Sequence, residues 1–238
     1  MTPPERSRAA LDGLTVRPAV PGDAGALAAV HLRARRAAPM PEPAHPDATL
    51  APFLATRIGA DQVWVAEAGE RVVGYARHTG TWLDDLYVDP SAARRGVGSV
   101  LVDLVKDRLA DGFCLWVFES NAPARAFYAR HGLIELERTD GSANEERSPD
   151  VRMAWPGRDP VAFLRGLVDE VDAELGDLLA RRAALTRAIQ PLKSDAARDP
   201  ARELEVAERI ARRAPELGTD RLVPVVDAII TASLDAAR

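Results

Sequence analysis

The chain is poor in cysteine. Cys114 is the only one in 238 residues, so no internal disulfide can form. A reducing, cytoplasmic setting is the simplest one for such a chain. Cys114 lies in the apolar run FCLWVF, where a lone thiol is expected to be a core residue. Long hydrophobic runs are missing too, and none could span a bilayer. The first residues, MTPPERSRAALDG, lack the apolar core of a signal peptide, and residues 1–13 are expected to be a mobile tail. Internal repeats and low-complexity tracts are absent. Cations fall short of anions, 31 Lys and Arg against 36 Asp and Glu, a net charge of −5. That balance argues against a nucleic-acid binder. No metal site is expected. What remains is an ordinary globular composition, 47% apolar and 28% charged, with length enough for two domains.

Residues 14–156 alternate strand and helix signals. Strands are expected at 14–17, 62–66, 71–79, 82–88, 113–118, 133–138 and 151–155. Helices are expected from Asp23 to about Arg36 and at 50–58, 98–110 and 122–131, the last closed by Gly132. The run at 113–118 is apolar throughout and predicts a strand buried on both faces. Two stretches, AAPMPEPAHPD and DGSANEERSPD, read as loops, the second as mobile. Residues 157–162 read as a linker, and a helical domain is expected over 163–238.

That domain opens with a heptad frame. Leu164, Val168, Val171, Leu175, Leu178, Leu185, Ile189 and Leu192 step by threes and fours along one long helix. Arg182 takes the seam position skipped between Leu178 and Leu185. A guanidinium there is costly unless an anion meets it. Lys193, eleven residues on, returns to nearly the same face. Two readings stay open: a pocket for a small polyanion, or an Arg182 that snorkels out or pairs with a structural carboxylate. Pro191 should kink the helix just before Lys193.

A second motif follows, Asp199-Pro200-Ala201-Arg202-Glu203, opening another amphipathic pattern. With Arg165, Arg182 and Lys193 in register, the region from about residue 160 resembles the all-helical chorismate mutase family. The resemblance implies that Arg182 and Arg165 hold the two carboxylates of a chorismate-like dicarboxylate, with Arg165 supplied by the partner protomer of a homodimer. It implies that Lys193 contacts the ether oxygen and Glu203 the hydroxyl, while Asp199 and Arg202 orient the pocket. It departs from the family at Ala237, where a late Gln or Glu is usual, and the connection before the second motif is a few residues short.

In the first domain, LYVDPSAARRGVG joins a strand to an amphipathic helix. Unpaired backbone N–H groups at a helix start make an anion site, and Gly96 and Gly98 let the backbone approach closely. Alone, the G-x-G is also what an ordinary strand-to-helix turn looks like. Downstream, NAPARAFYARHG supplies a second motif in the expected order. Together they resemble the GNAT acetyltransferase superfamily. The resemblance implies acetyl-CoA as cosubstrate, with the backbone amides of Arg95, Gly96, Val97, Gly98 and Ser99 on its pyrophosphate. It implies that Leu86 and Val88 offer backbone groups to the pantetheine arm and acetyl carbonyl, and that Asn121 bonds the arm. Tyr128 is then the general acid for the departing thiolate, unless it is a core tyrosine beside Phe127. Ala93 stands where Arg or Gln is common in the superfamily, which removes one side-chain contact.

An amine nucleophile also needs a proton acceptor. Asp84 and Asp85 on the strand before the loop are the candidates, and simple alternation sends them to opposite faces. Either could equally be a solvated surface charge. Glu119 ends the next strand, and His31 and His45 qualify only if the early loops fold over the site. His131 is expected to be a helix C-terminal residue.

The expected architecture is an α/β (α+β) GNAT fold with a central mixed sheet, residues 14–156, followed by an all-α three-helix chorismate mutase-type domain that dimerises. The expected function is acetyl transfer to an amine acceptor plus chorismate mutase chemistry. The alternatives are a non-catalytic dimerisation or ligand-sensing helical module, or elimination of pyruvate from isochorismate.

Overall fold

A computed structural model describes residues 13–192 and 198–237. The chain divides into two compact units, Met1–Leu164 and Arg165–Arg238.

The first unit runs β1 (Leu14–Pro18), α1 (Ala24–Ala37), α2 (Leu50–Arg57), β2 (Gln62–Ala68), β3 (Arg71–Thr79), β4 (Trp82–Val88), α3 (Val97–Arg108), β5 (Phe113–Phe118), α4 (Ala122–Arg130), β6 (Ile134–Thr139) and β7 (Asp150–Trp155). The strands form one seven-stranded sheet in the order β1-β2-β3-β4-β5-β7-β6. Every neighbouring pair is antiparallel except β4 and β5. Those two run parallel and pair only at Trp82 and Cys114. Past that point they part, and the gap is where the site lies.

Each face of the sheet has its own core. Val97, Leu101, Val102 and Val105 of α3 bury against Val73, Ala76, Leu115, Val117 and Met153. Leu27 and Val30 of α1 and Leu54 of α2 bury against Val63, Val65 and Tyr75. Each such aliphatic side chain contributes about 1.5–3 kcal/mol on leaving water. β5 departs from the expectation of burial on both faces. Leu115 and Val117 are buried, while Trp116 between them is 43% exposed. Its ring stacks on that of Trp82 from β4, with centres 6.4 Å apart.

The second unit holds most of α5 (Pro160–Ile189), then α6 (Pro200–Ala211) and α7 (Gly218–Asp235). Pro160 already opens α5, so the last three residues of the expected 157–162 linker are helical. At its other end the α-helix stops at Ile189 and gives way to a tighter turn over Gln190–Leu192. Pro191 accounts for that stop: it has no N–H to give and crowds the preceding turn. Asp199 caps α6 by accepting a hydrogen bond from the Arg202 amide at 3.1 Å, with Pro200 at the first helical position. Helices α6 and α7 pair through Ala207, Leu222 and Val226. Helix α5 buries none of its residues. Val168, Val171, Leu175, Leu178, Leu185 and Ile189, the expected seam, are 47–60% exposed. No helix among the described residues is long and apolar enough to cross a membrane.

Candidate functional site

The loop after β4 is built to present amides. Asp89 accepts hydrogen bonds from the Ser91 amide and hydroxyl, at 2.9 and 2.6 Å, and pairs with Arg33 at 2.7 Å. This turns the chain through Pro90–Ala92. Arg94 takes a left-handed backbone, φ 60°, and Gly96 another, φ 87°, as the residue that caps α3. The N–H groups of the first turn of α3 have no helical acceptor. Arg94, Gly96, Gly98 and Ser99 line a cavity of about 930 Å³. A Cβ on Gly98 would sit 3.2 Å from the Phe127 ring, so the hydrogen there lets α4 lie against the loop. Val97 turns its side chain into the core. The Ser99 hydroxyl is 3.0 Å from Nε2 of His131, whose Nδ1 is 2.9 Å from the Phe127 carbonyl. His131 therefore bridges the end of α4 to the start of α3.

The same cavity runs through the gap between β4 and β5. Leu86, Val88, Asn121 and Tyr128, four of the candidate residues, all line it. Asn121 caps α4, its Oδ1 accepting from the Ala124 amide at 3.2 Å. Tyr128 is buried, and burial pushes its phenol well above the ordinary range.

The two aspartates do not point to opposite faces. Arg77 pairs with Asp85 and the next residue of β3, His78, pairs with Leu83, so Asp84 is an extra residue in β4. This bulge breaks the alternation. Both carboxylates converge on Arg77, Asp85 at 2.5 Å and Asp84 at 3.5 Å, and Asp61 joins them at 2.9 Å. Burial pushes both Asp84 and Asp85 above the usual carboxylate range, with the guanidinium pulling the other way. Asp84 lines the cavity and Asp85 does not.

The remaining candidates have other engagements. His31 packs on Tyr87 with the rings tilted by 31° and their centres 3.9 Å apart, and its Nδ1 is 2.8 Å from the Tyr75 hydroxyl. Burial lowers its pKa to about 4. His45 meets Glu145 at 3.0 Å, and Glu119 meets Arg138 at 2.7 Å. The β6–β7 loop, expected to be mobile, is tied down. Glu146 pairs with Arg35 of α1 at 2.8 Å, and Asp150 accepts from the Thr139 hydroxyl and the Asn144 amide at 2.5 and 2.9 Å. Met40, Trp116, Phe118, Glu146 and Asp150 thus complete the cavity wall without belonging to any motif. Their only trace in the sequence is an aromatic in an apolar strand and a run of acids in a loop.

The second unit has its own cluster of polar groups. Arg182 donates to the Ser233 hydroxyl at 2.5 Å and to the Ile229 carbonyl at 3.4 Å. Ser233 is buried and was given no role in the sequence reading; Ala237 lies four residues on, in the turn just past the end of α7. Glu203 is held bidentately by Arg198, 2.7 Å on each oxygen, and Arg198 also reaches Asp227 at 2.5 Å and Thr231 at 3.2 Å. Arg202 pairs with Glu205 at 3.0 Å. Asp227 and Thr231 lie roughly 200° round α7 from Ile229 and Ser233. Within one chain, Arg182 and Glu203 therefore meet different sides of that helix. Arg165 is exposed and lies 17 residues before Arg182, about 25 Å along α5. Lys193 lies outside the described residues. No group of three or more metal-ligating side chains gathers among the described residues.

Comparison with known proteins divides the chain in the same way. Residues 28–133 match the family model of the acetyltransferase (GNAT) family, and residues 164–238 that of chorismate mutase type II. A peptidyl-lysine N-acetyltransferase, YiaC of Escherichia coli (strain K12), is 32% identical over 98 residues. The match covers 40% of this chain and 64% of that protein. Among solved structures, apo-form YjaB from Escherichia coli superposes with a TM-score of 0.50 at 23% identity, covering 60% of this chain and 98% of that one. A GCN5-related N-acetyltransferase from Rhodopseudomonas palustris gives 0.51 at 23% identity, with 60% and 94% covered. These two establish the fold of the first unit. The chain joins a GNAT acetyltransferase domain to a chorismate mutase type II domain.

Proposed function

We propose that a chain joining these two families is an enzyme with two sites, the first transferring an acetyl group from acetyl-CoA to an amine. The observation that carries this reading is the cavity at the β4–β5 gap, with the Gly96–Gly98 loop at one end and Tyr128 and Asp84 on its walls. Left-handed Gly96 opens α3 with no side-chain cap, which leaves its first amides free to meet a pyrophosphate, and bare Gly98 lets Phe127 close against the loop. Leu86 and Val88 offer backbone groups on the edge of β4 that β5 leaves unpaired, and Asn121 stands opposite. Bound there, acetyl-CoA supplies the acetyl thioester.

The residues of the chain then move protons. Asp84 takes one from the incoming ammonium. The new C–N bond forms as the C–S bond breaks, and the Tyr128 hydroxyl gives its proton to the departing sulfur. The second amine proton returns to Tyr128 through water, so both groups are restored once Asp84 releases its proton. Asp85 keeps Arg77 in place and takes no part. Calorimetry tests the assignment: acetyl-CoA should bind wild type and bind Gly98→Val at least tenfold more weakly, about 1.4 kcal/mol. Equal affinities would remove the cofactor site.

The second site takes a chorismate-like dicarboxylate. Arg suits carboxylates because its fork binds them bidentately. Arg182 lies on the seam with Ser233 as its neutral partner, which leaves its charge available to an anion. Arg165 is too far along the same helix to share that ligand, so it comes from a second copy, and the exposed seam of α5 is the surface on which that copy packs. Glu203, Arg202, Asp199 and Lys193 are assigned to the same pocket. Ala237 leaves one wall without a polar donor, which favours slow rearrangement over fast. Incubation with chorismate and with isochorismate separates the readings. Prephenate marks a mutase and pyruvate a lyase. Neither product, with chorismate still bound, marks a sensing or dimerisation module. Arg182→Ala should abolish binding in every case. The single buried Cys114 suits a reducing, cytoplasmic setting.

A further inference from the structure

The cavity of the first unit is polarised. Where the loop and α4 line it, the charged side chains are Arg94 and Arg130, beside the free amides of α3. Where α1, β4, the β6–β7 loop and the start of β7 line it, they are Asp84, Glu146 and Asp150.

The acidic end is short of cations. Asp84 shares Arg77 with Asp85 and Asp61, and Asp61 has Arg57 besides, at 3.8 Å. Glu146 is matched by Arg35. Asp150 is buried, its two hydrogen-bond donors are the neutral side chains of Thr139 and Asn144, and no cation pairs with it among the described residues. Five carboxylates, Asp61, Asp84, Asp85, Glu146 and Asp150, therefore stand against three guanidinium groups, those of Arg35, Arg57 and Arg77. A buried carboxylate without a counter-charge is costly, and the cost falls when a cation arrives. Three aromatic rings line the same end, Tyr87, Trp116 and Phe118. Aromatic faces attract cations most where water is excluded, and the Arg35 guanidinium already lies 5.7 Å from the centre of the Phe118 ring.

From this charge and ring pattern we propose that the acetyl acceptor is an alkyl ammonium with no carboxylate near it, such as a peptide lysine or a polyamine. The proposal rests on the acetyltransferase reading above. An amine that carries its own carboxylate, a free amino acid or an aminobenzoate, would bring a further anion to an end already in excess. The neighbouring helical domain invites an aromatic, anionic acceptor, and the charge of this cavity opposes it.

The test is calorimetry at pH 7.5 on the full chain, first with coenzyme A and then, on the loaded protein, with four probes. These are Nα-acetyl-lysine methylamide, spermidine, glutamate and anthranilate. At least one of the two cations should bind ten times tighter or more than either carboxylate-bearing amine. Whichever cation binds tighter separates a peptide from a polyamine source. Asp150→Asn should weaken the cation about tenfold and leave coenzyme A affinity unchanged, which also reports that the variant is folded. If that variant loses coenzyme A, Asp84→Asn serves in its place. Coenzyme A binding with neither cation bound, or with glutamate or anthranilate bound as well as the cations, overturns the proposal. Failure of coenzyme A itself to bind instead removes the acetyltransferase reading on which it stands.

Discussion

At the scale of single residues, the proposed roles of Asp84 as base and Tyr128 as acid set how the chemistry should respond to pH. The base must be ionised, and burial holds the Asp84 carboxyl above its ordinary 3.8. The rate therefore falls with pH on the acid side, with a midpoint above that value. Asp84→Asn should remove this limb and slow turnover by about 10²–10⁴. A limb that persists in the variant would assign the base elsewhere. Tyr128 must keep its proton, and burial moves its loss above the ordinary 10. Tyr128→Phe should lower kcat with little change in the affinity for acetyl-CoA, read from single-turnover and binding measurements. In the second unit, Ala237 is the residue to restore. It lies four residues beyond Ser233, the partner of Arg182, in the turn that follows α7, so Ala237→Gln should raise prephenate formation, by up to about 10²–10³ if the new amide reaches the ether oxygen.

Elements carry a different lesson, because Asp89 belongs to no catalytic group and still shapes the loop. Its carboxylate accepts from Ser91 and Arg33, and those donors lower its pKa to about 2. The folded value lies below the unfolded one, near 3.8. Its contribution, about 2 kcal/mol, is therefore full above about pH 4 and lost as pH falls towards 2. Acid titrations of wild type and Asp89→Asn, followed by denaturant, should differ by that amount at neutral pH and converge near pH 2. The motif around it was legible because strand, turn and helix lie in one short stretch. The same holds for the elements of residues 14–156, whose apolar spacing is local. The Asp84 bulge was not legible, since it depends on how β3 and β4 align. Nor was the acidic wall: Glu146 meets Arg35 only when positions 111 residues apart come together, and Asp150 is enclosed by Thr139 and Asn144 only once its loop has folded back. In the helical region spacing alone placed Arg182 and Lys193 on one face, whereas a role for Arg165, about 25 Å along α5 from Arg182, came from the family resemblance and needs a second copy.

For the molecule as a whole, the exposed seam of α5 is the strongest statement about assembly. Six large aliphatic residues along one helix face, each about half exposed, exceed what scattered surface hydrophobics explain. Light scattering on the full chain should report a dimer at micromolar concentration. Leu175→Glu with Leu178→Glu should give a monomer that has lost dicarboxylate binding and kept acetyl-CoA binding. A wild-type monomer would withdraw the shared pocket and the donation of Arg165 with it.

The single rung between β4 and β5, at Trp82 and Cys114, has a further consequence. Beyond it, the β4 amides that point towards β5 have no ladder partner and exchange their hydrogens with solvent readily. A pantetheine arm laid along that edge would act as a substitute strand and close the sheet. Hydrogen–deuterium exchange followed by mass spectrometry should then show β4 peptides spanning Leu83–Val88 slowing on addition of coenzyme A, while β2 and β3, already paired on both sides, keep their rates. The sheet would reach its full order only in the presence of the cofactor, and the open seam would report occupancy without any chemistry taking place.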